Sequence, residues 1–169
     1  MPFVIIEGSQ NAGKTMLAGE VVRALEDIGV SPFYYHTVKD ECNIYKLLTL
    51  VKEIEEANEY WVIDRWYLSN YVYSLLLDRD VEIAAGELDA IRLMDNIVDR
   101  SGVRIVLTPD PVTLAVRRDE HDDPTHPHDE NKTYNILGKL FDWEVYSVHP
   151  VASILAERVK SKQFWRGKN

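Results

Sequence analysis

The chain is short of cysteine, of basic residues and of long apolar runs, and each shortage excludes something. Its single cysteine, Cys42, cannot close an internal disulfide. That fits a reducing compartment, with a small half-buried side chain as the simplest reading of the residue. Only 19 Lys and Arg stand against 28 Asp and Glu, a formal net charge of −9. Binding to long nucleic acid is carried mainly by Lys and Arg on phosphates, so this balance argues against an extended nucleic-acid surface. A small anionic ligand in a local basic pocket remains compatible with it. No apolar run approaches the ~20 residues that span a bilayer, and the N-terminus lacks a basic stretch followed by an apolar one and a cleavage site. A cytoplasmic protein with no membrane partner is expected. What the chain does have is 46% hydrophobic residues over 169 positions, enough for one core in a single domain.

One short run carries the most chemistry. Gly8-Ser9-Gln10-Asn11-Ala12-Gly13-Lys14-Thr15 fits the pattern G-x-x-x-x-G-K-[ST] at all four fixed positions. Two glycines let the backbone curl until its N–H groups form an anion nest, and the following helix aims its positive dipole end at the same place. Lys14 then reaches the β- and γ-phosphates, and the Thr15 hydroxyl is placed to ligate Mg²⁺. The flanks agree. Phe3 to Ile6 is an apolar, mostly β-branched run that reads as a buried strand, and Met16 to Leu25 has helical spacing of apolar residues.

Downstream, strand and helix patterns alternate. Phe33 to His36 suits a second strand, and Ile44 to Ala57 a helix with Ile44, Leu47, Leu48, Val51 and Ile54 on one face. Tyr60 to Ile63 is a third strand, ending on Asp64-Arg65. Helices follow from about Leu68 to Leu77 and Glu82 to Asp99, then a fourth strand over Val103 to Leu107. Pro111 opens a helix that ends near Arg117-Arg118. Asp119 to Glu130 mixes acids, histidines and prolines with no apolar residue, so it reads as a surface segment outside the core. A helix over Asn131 to Phe141, a strand over Val145 to Val148, a helix over Val151 to Val159 and a solvated basic tail from Lys160 complete the chain. Such alternation implies a three-layer α/β fold with a five-stranded parallel sheet, its ligand at the carboxyl ends of the strands.

Three classes share the loop: switch GTPases, ATPase machines and small kinases. A GTPase needs an Asn-Lys-x-Asp element to read guanine, and the near match Asn131-Lys132-Thr133-Tyr134 lacks the carboxylate. Asp64 could end an ATPase strand, so a nucleotide-binding ATPase module stays open. The kinase reading explains more. At a strand end, Asp64 can orient or deprotonate an attacking oxygen and Arg65 can hold an acceptor phosphate bidentately. A plain structural ion pair is the alternative. Arg117 and Arg118 would suit a lid closing over the phosphates, although a favourable helix-dipole contact accounts for them equally. His121, His126 and His128 among carboxylates are a weak zinc-site pattern, as compatible with no metal at all.

Ile6-Glu7-Gly8 running into the loop, then Asp64-Arg65-Trp66-Tyr67-Leu68-Ser69 and Tyr73, resembles the thymidylate kinases and their relatives among nucleoside monophosphate and deoxynucleoside kinases. Thr108-Pro109-Asp110-Pro111 before Arg117-Arg118 resembles that family's turn into its arginine-bearing lid, here about residues 117–131. The resemblance implies a P-loop kinase fold and a nucleotide kinase using ATP and Mg²⁺. It puts Gly8 to Thr15 on ATP, Thr15 and Asp64 near the metal, and Arg65 on the acceptor phosphate. Lys14, Asp64, Arg65, Arg117 and Arg118 are the implied catalytic set. Thymidylate kinases are commonly dimers, which leaves open a homodimer using the stripe of the Glu82 to Asp99 helix. Gln10, Asn11 and Met16 stand where the family has Asp, Gly and Thr, so a loop carboxylate beside the acceptor is missing. A pyrimidine deoxynucleotide is the first expectation for the acceptor, with a modified base, a nucleoside, a small metabolite or a base in DNA as alternatives. Phe33, Tyr34, Tyr35, Trp66, Tyr67 and Tyr73 are the aromatics available to stack on such a base or to pack in the core.

Overall fold

The computed structural model describes residues 2–37, 43–57, 59–77, 85–117 and 127–166. The sheet holds five parallel strands: β1 (Phe3–Gly8), β2 (Pro32–His36), β3 (Tyr60–Asp64), β4 (Val103–Leu107) and β5 (Glu144–Tyr146), ordered β2-β3-β1-β4-β5. Seven helices connect and cover them: α1 (Lys14–Asp27), α2 (Ile44–Ala57), α3 (Leu68–Leu76), α4 (Ala85–Ser101), α5 (Pro111–Val116), α6 (Pro127–Leu140) and α7 (Ala152–Arg166). The three-layer parallel architecture is the one the alternation implied.

β1 is buried along its whole length, and its side chains alternate between two cores. Phe3 and Ile5 pack with α2, α3, α4 and α6, while Val4 and Ile6 pack with α1 and α7. The apolar stripe of α4 enters the first core, where Ile91, Met94, Ile97 and Val98 lie against α2. Those four residues therefore serve the chain's own interior, while Leu93 of the same stripe is exposed. A buried charge cluster pins the same layer. Arg104 is 5% exposed and pairs with Asp95 at 2.7 Å and Asp99 at 2.9 Å, beneath the Trp143 ring.

Besides shifts of one or two residues at the ends of β5 and the C-terminal end of α4, two boundaries differ from the sequence reading. α6 begins at Pro127, so the last residues of the polar segment are helical, and Glu130 is buried instead of solvated. Proline at the first helical turn allows that start, since its missing N–H has no partner there anyway. α7 runs on to Arg166, so most of the presumed tail is helix. Lys162 explains part of this, because its ammonium caps the Asp99 and Gly102 carbonyls at the end of α4. Among the described residues no helix is long and apolar enough to cross a membrane.

Candidate active site

Parallel register brings the carboxyl ends of β2, β3, β1 and β4 side by side, with His36 opposite Asp64 and Asp64 opposite Ile6. The loop Gly8 to Thr15 leaves β1 at this edge. Gly8 has φ +145, and a Cβ there would lie 2.4 Å from the Leu107 carbonyl oxygen, so β4 passes too close for any side chain. Gly13 caps α1 in a left-handed conformation, φ 89, with Arg117 and His149 pressed over it. Both converge on the Ala12 carbonyl, Arg117 Nη1 donating at 3.3 Å and His149 Nε2 at 2.9 Å.

Lys14 is 6% exposed and folds back along the loop, donating to the carbonyls of Gly8 at 2.9 Å and Ser9 at 2.7 Å. Two of its three ammonium protons are thereby used, and one remains for a ligand. Burial pushes its pKa down to about 8, with Arg65 acting in the same direction and Asp64, Glu7 and Glu130 opposing. A cavity of about 450 Å³ opens over the loop, lined by Gln10, Asn11, Gly13, Lys14, Thr15 and Met16 together with His36, Arg65 and Arg117.

Asp64 is fully buried. Its Oδ2 accepts from the Thr15 hydroxyl at 2.6 Å and from Tyr34 at 3.2 Å, and lies 3.1 Å from His36 Nδ1. Its Oδ1 has no hydrogen-bond partner among the described residues. A buried carboxylate oxygen left bare costs free energy unless something else occupies it. With the Thr15 hydroxyl alongside, the donor set is all oxygen, which suits Mg²⁺. These residues fit the metal that the loop implies.

The opposite face of the sheet carries a second buried acid. Glu7 continues the Phe3, Ile5 face of β1, and its two oxygens take the backbone N–H of Trp66 at 2.8 Å, that of Ser69 at 3.0 Å and the Ser69 hydroxyl at 2.6 Å. Ser69 in turn meets the Tyr134 hydroxyl at 2.9 Å. Desolvation raises the Glu7 pKa to about 7, against the lowering pull of these hydrogen bonds and of Lys14. Next to it, Arg65 adopts φ 75, a strained conformation for a residue with a Cβ, and lines the cavity.

No protein-family model matches the chain, and no curated protein sequence does. Solved structures do. The YorR protein of Bacillus subtilis, solved in complex with phosphorylated GDP, superposes with a TM-score of 0.66 at 17% identity, covering 99% of either chain. Deoxyadenosine kinase from M. mycoides, solved with dCMP and a flexible dCDP, gives a TM-score of 0.50 at 16% identity over 97% of this chain and 99% of that one. The chain shares the fold of these two proteins. At such identities the likeness is one of fold, and the chemistry has to be read from the residues themselves.

The structure gathers Lys14, Thr15, Asp64, Arg65 and Arg117 around one cavity edge. Arg118, His121 and His126 lie outside the described residues, as does most of the expected lid. Trp66 and Tyr67 are fully buried and unavailable to a ligand, so they take the core role. Tyr35 and Phe33 pack on Trp61, and Tyr73 donates to Glu130. Four residues around the loop went unassigned in sequence: Glu7, His36, Glu130 and His149. Only Glu7 carried a signal, a charge inside an otherwise apolar strand run.

Proposed function

We propose that this chain is an ATP-dependent, Mg²⁺-requiring kinase that transfers the γ-phosphoryl group of ATP to a nucleoside monophosphate, with a thymidylate-like deoxynucleotide as the first acceptor to test. The observation that carries the reading is the 2.6 Å contact between the Thr15 hydroxyl and the Asp64 carboxylate, with Asp64 Oδ1 bare beside it and Arg65 lining the same cavity. A loop that holds polyphosphate, an oxygen pair suited to Mg²⁺ and a guanidinium beyond them are the parts phosphoryl transfer uses. The two nucleotide-bound neighbours of the same fold support a nucleotide ligand.

In this reading the loop amides and Lys14 hold the donor phosphates, and Lys14 supplies its remaining N–H to the β/γ end. Bound at Thr15 and Asp64, Mg²⁺ supplies charge neutralisation on those phosphates. Arg65 orients the acceptor phosphate, whose oxygen forms the new P–O bond as the bond to the ADP leaving oxygen breaks. Arg117 adds positive charge at the loop's far side.

The deoxyadenosine kinase of the same fold favours a second reading, in which the acceptor is the hydroxyl of a nucleoside. A coupled ADP-release assay over nucleosides and nucleoside monophosphates, modified pyrimidines included, separates the two. Turnover confined to monophosphates supports the first reading, turnover confined to nucleosides the second, and ATP binding without phosphorylated product rejects both in favour of an ATPase module.

A further inference from the structure

Helix α6 grips the phosphate loop in a way the loop pattern itself does not require. Glu130, in the first turn of α6, is 1% exposed, and its Oε1 accepts from the Gln10 backbone N–H and from the Tyr73 hydroxyl, each at 2.9 Å. The next residue, Asn131, accepts from the Ser9 hydroxyl at 3.3 Å and donates to the Pro109 carbonyl at 2.7 Å. Consecutive helix residues thus hold consecutive loop residues across 120 and 122 positions of chain. A carboxylate is costly to take out of water unless its lone pairs are used, so its depth here marks a specific demand for a strong acceptor.

The place of that demand is informative. Lys14 and Thr15 open α1 and present their amides at one end of the cavity, while Gln10 and Asn11 form its rim. A phosphate chain seated on the α1 end presents its outermost phosphoryl group to that rim. Asn11 sits at φ 61, a conformation that glycine adopts freely and asparagine only tolerates, so the rim is not shaped by a glycine. Glu130 holds it from outside the loop through the Gln10 amide.

We propose that Glu130 is a positioning residue for the terminal phosphoryl group: by fixing the Gln10 amide it shapes the rim that receives the γ-phosphate, while the β-phosphate end is set by α1 without it. This rests on the loop being the ATP site.

The test is calorimetric binding of Mg·ADP and of a non-hydrolysable Mg·ATP analogue to the full chain and to Glu130→Ala, Glu130→Gln, Glu130→Asp and Lys14→Ala. Glu130→Ala weakens the triphosphate analogue about tenfold and ADP by no more than about twofold, the size of one lost hydrogen bond felt at one phosphate. Glu130→Gln keeps an acceptor oxygen and returns the triphosphate-to-diphosphate ratio to near wild type. Glu130→Asp withdraws the oxygen and follows alanine, which keeps the test open should the alanine variant not fold. Equal weakening of both ligands, or an unchanged ratio in folded Ala and Asp variants, makes Glu130 purely structural and overturns the proposal. Wild-type protein that binds neither ligand, or a Lys14→Ala variant that binds like wild type, overturns the ATP-site reading itself and this inference with it.

Discussion

Replacing Glu7 with glutamine is expected to stabilise the protein in a pH-dependent way. Burial raises the folded-state pKa of Glu7 from 4.5 to about 7. Because the folded value lies above the unfolded one, the protonated acid contributes stability that is full below about pH 4.5 and lost as the pH rises to 7. Each unit is worth about 1.36 kcal/mol, so the ionised acid costs the fold roughly 3 kcal/mol at pH 8. Glutamine mimics the protonated form. Its oxygen can keep the N–H groups of Trp66 and Ser69, and its amide can donate to the Ser69 hydroxyl, which then turns its own proton to Tyr134. At roughly 2 to 4 °C per kcal/mol for a chain of this size, Glu7→Gln raises the unfolding temperature by about 6 to 12 °C at pH 8. Near pH 5 the gain falls to ~2–3 °C by the same arithmetic. The carboxylate also helps Lys14 keep its proton, so losing it subtracts from the gain and favours the lower half of that range. Thermal unfolding followed by circular dichroism in nucleotide-free buffer from pH 5 to 8 measures this. A Glu7→Gln variant equally shifted at both pH values, or less stable than wild type at pH 8, refutes the account of Glu7 as a buried acid held against its own desolvation.

Lys14→Ala and Asp64→Ala should each lower kcat by about a hundredfold or more, as expected when phosphate charge stabilisation or metal positioning is lost; steady-state assays with the acceptor found above check this. Arg65→Ala should raise the acceptor KM more than the ATP KM, and near wild-type acceptor affinity would refute the acceptor role of Arg65. Arg104→Met should cost about 3 to 5 kcal/mol in urea unfolding, because it leaves Asp95 buried without its cation. Adding Asp95→Leu should recover much of that loss, and no recovery would mean that the guanidinium's packing on Trp143 matters more than the charge pair.

Elements with a strong local pattern were legible in the sequence. α2 matches its expected span, since Ile44, Leu47, Val51 and Ile54 make one buried face, and β4 is an apolar, mostly β-branched run broken only by Arg104. The phosphate-loop pattern was legible for the same reason, being a contiguous eight-residue run. What could not be read is whatever depends on partners far apart in the chain. Glu130 looks like one acid among many in a polar segment, and it is the Gln10 amide, 120 residues away, together with the Tyr73 hydroxyl, that offsets its burial. Tyr34 and His36 stand two residues apart on an edge strand, so they share a face, but nothing local says that the face meets Asp64. Trp66 and Tyr67 beside a strand end were compatible with a ligand or with the core, and packing against Tyr71, Phe141 and Trp143 decided for the core.

The alternation of β1 and β3 has a consequence for how such a protein can change. Asp64 finds its partners in α1 and β2, whereas Glu7 finds its own in α3, the turn before it and, through Ser69, α6. No side chain appears in both sets, and the sheet stands between them like a party wall. Substitutions in α3 and α6 can therefore remodel the surroundings of Glu7 while every neighbour of Asp64 is inherited untouched. One side of the wall is free to diverge while the other is conserved, and Lys14 and Arg65, whose charges are felt by both acids, are the tenants common to the two sides.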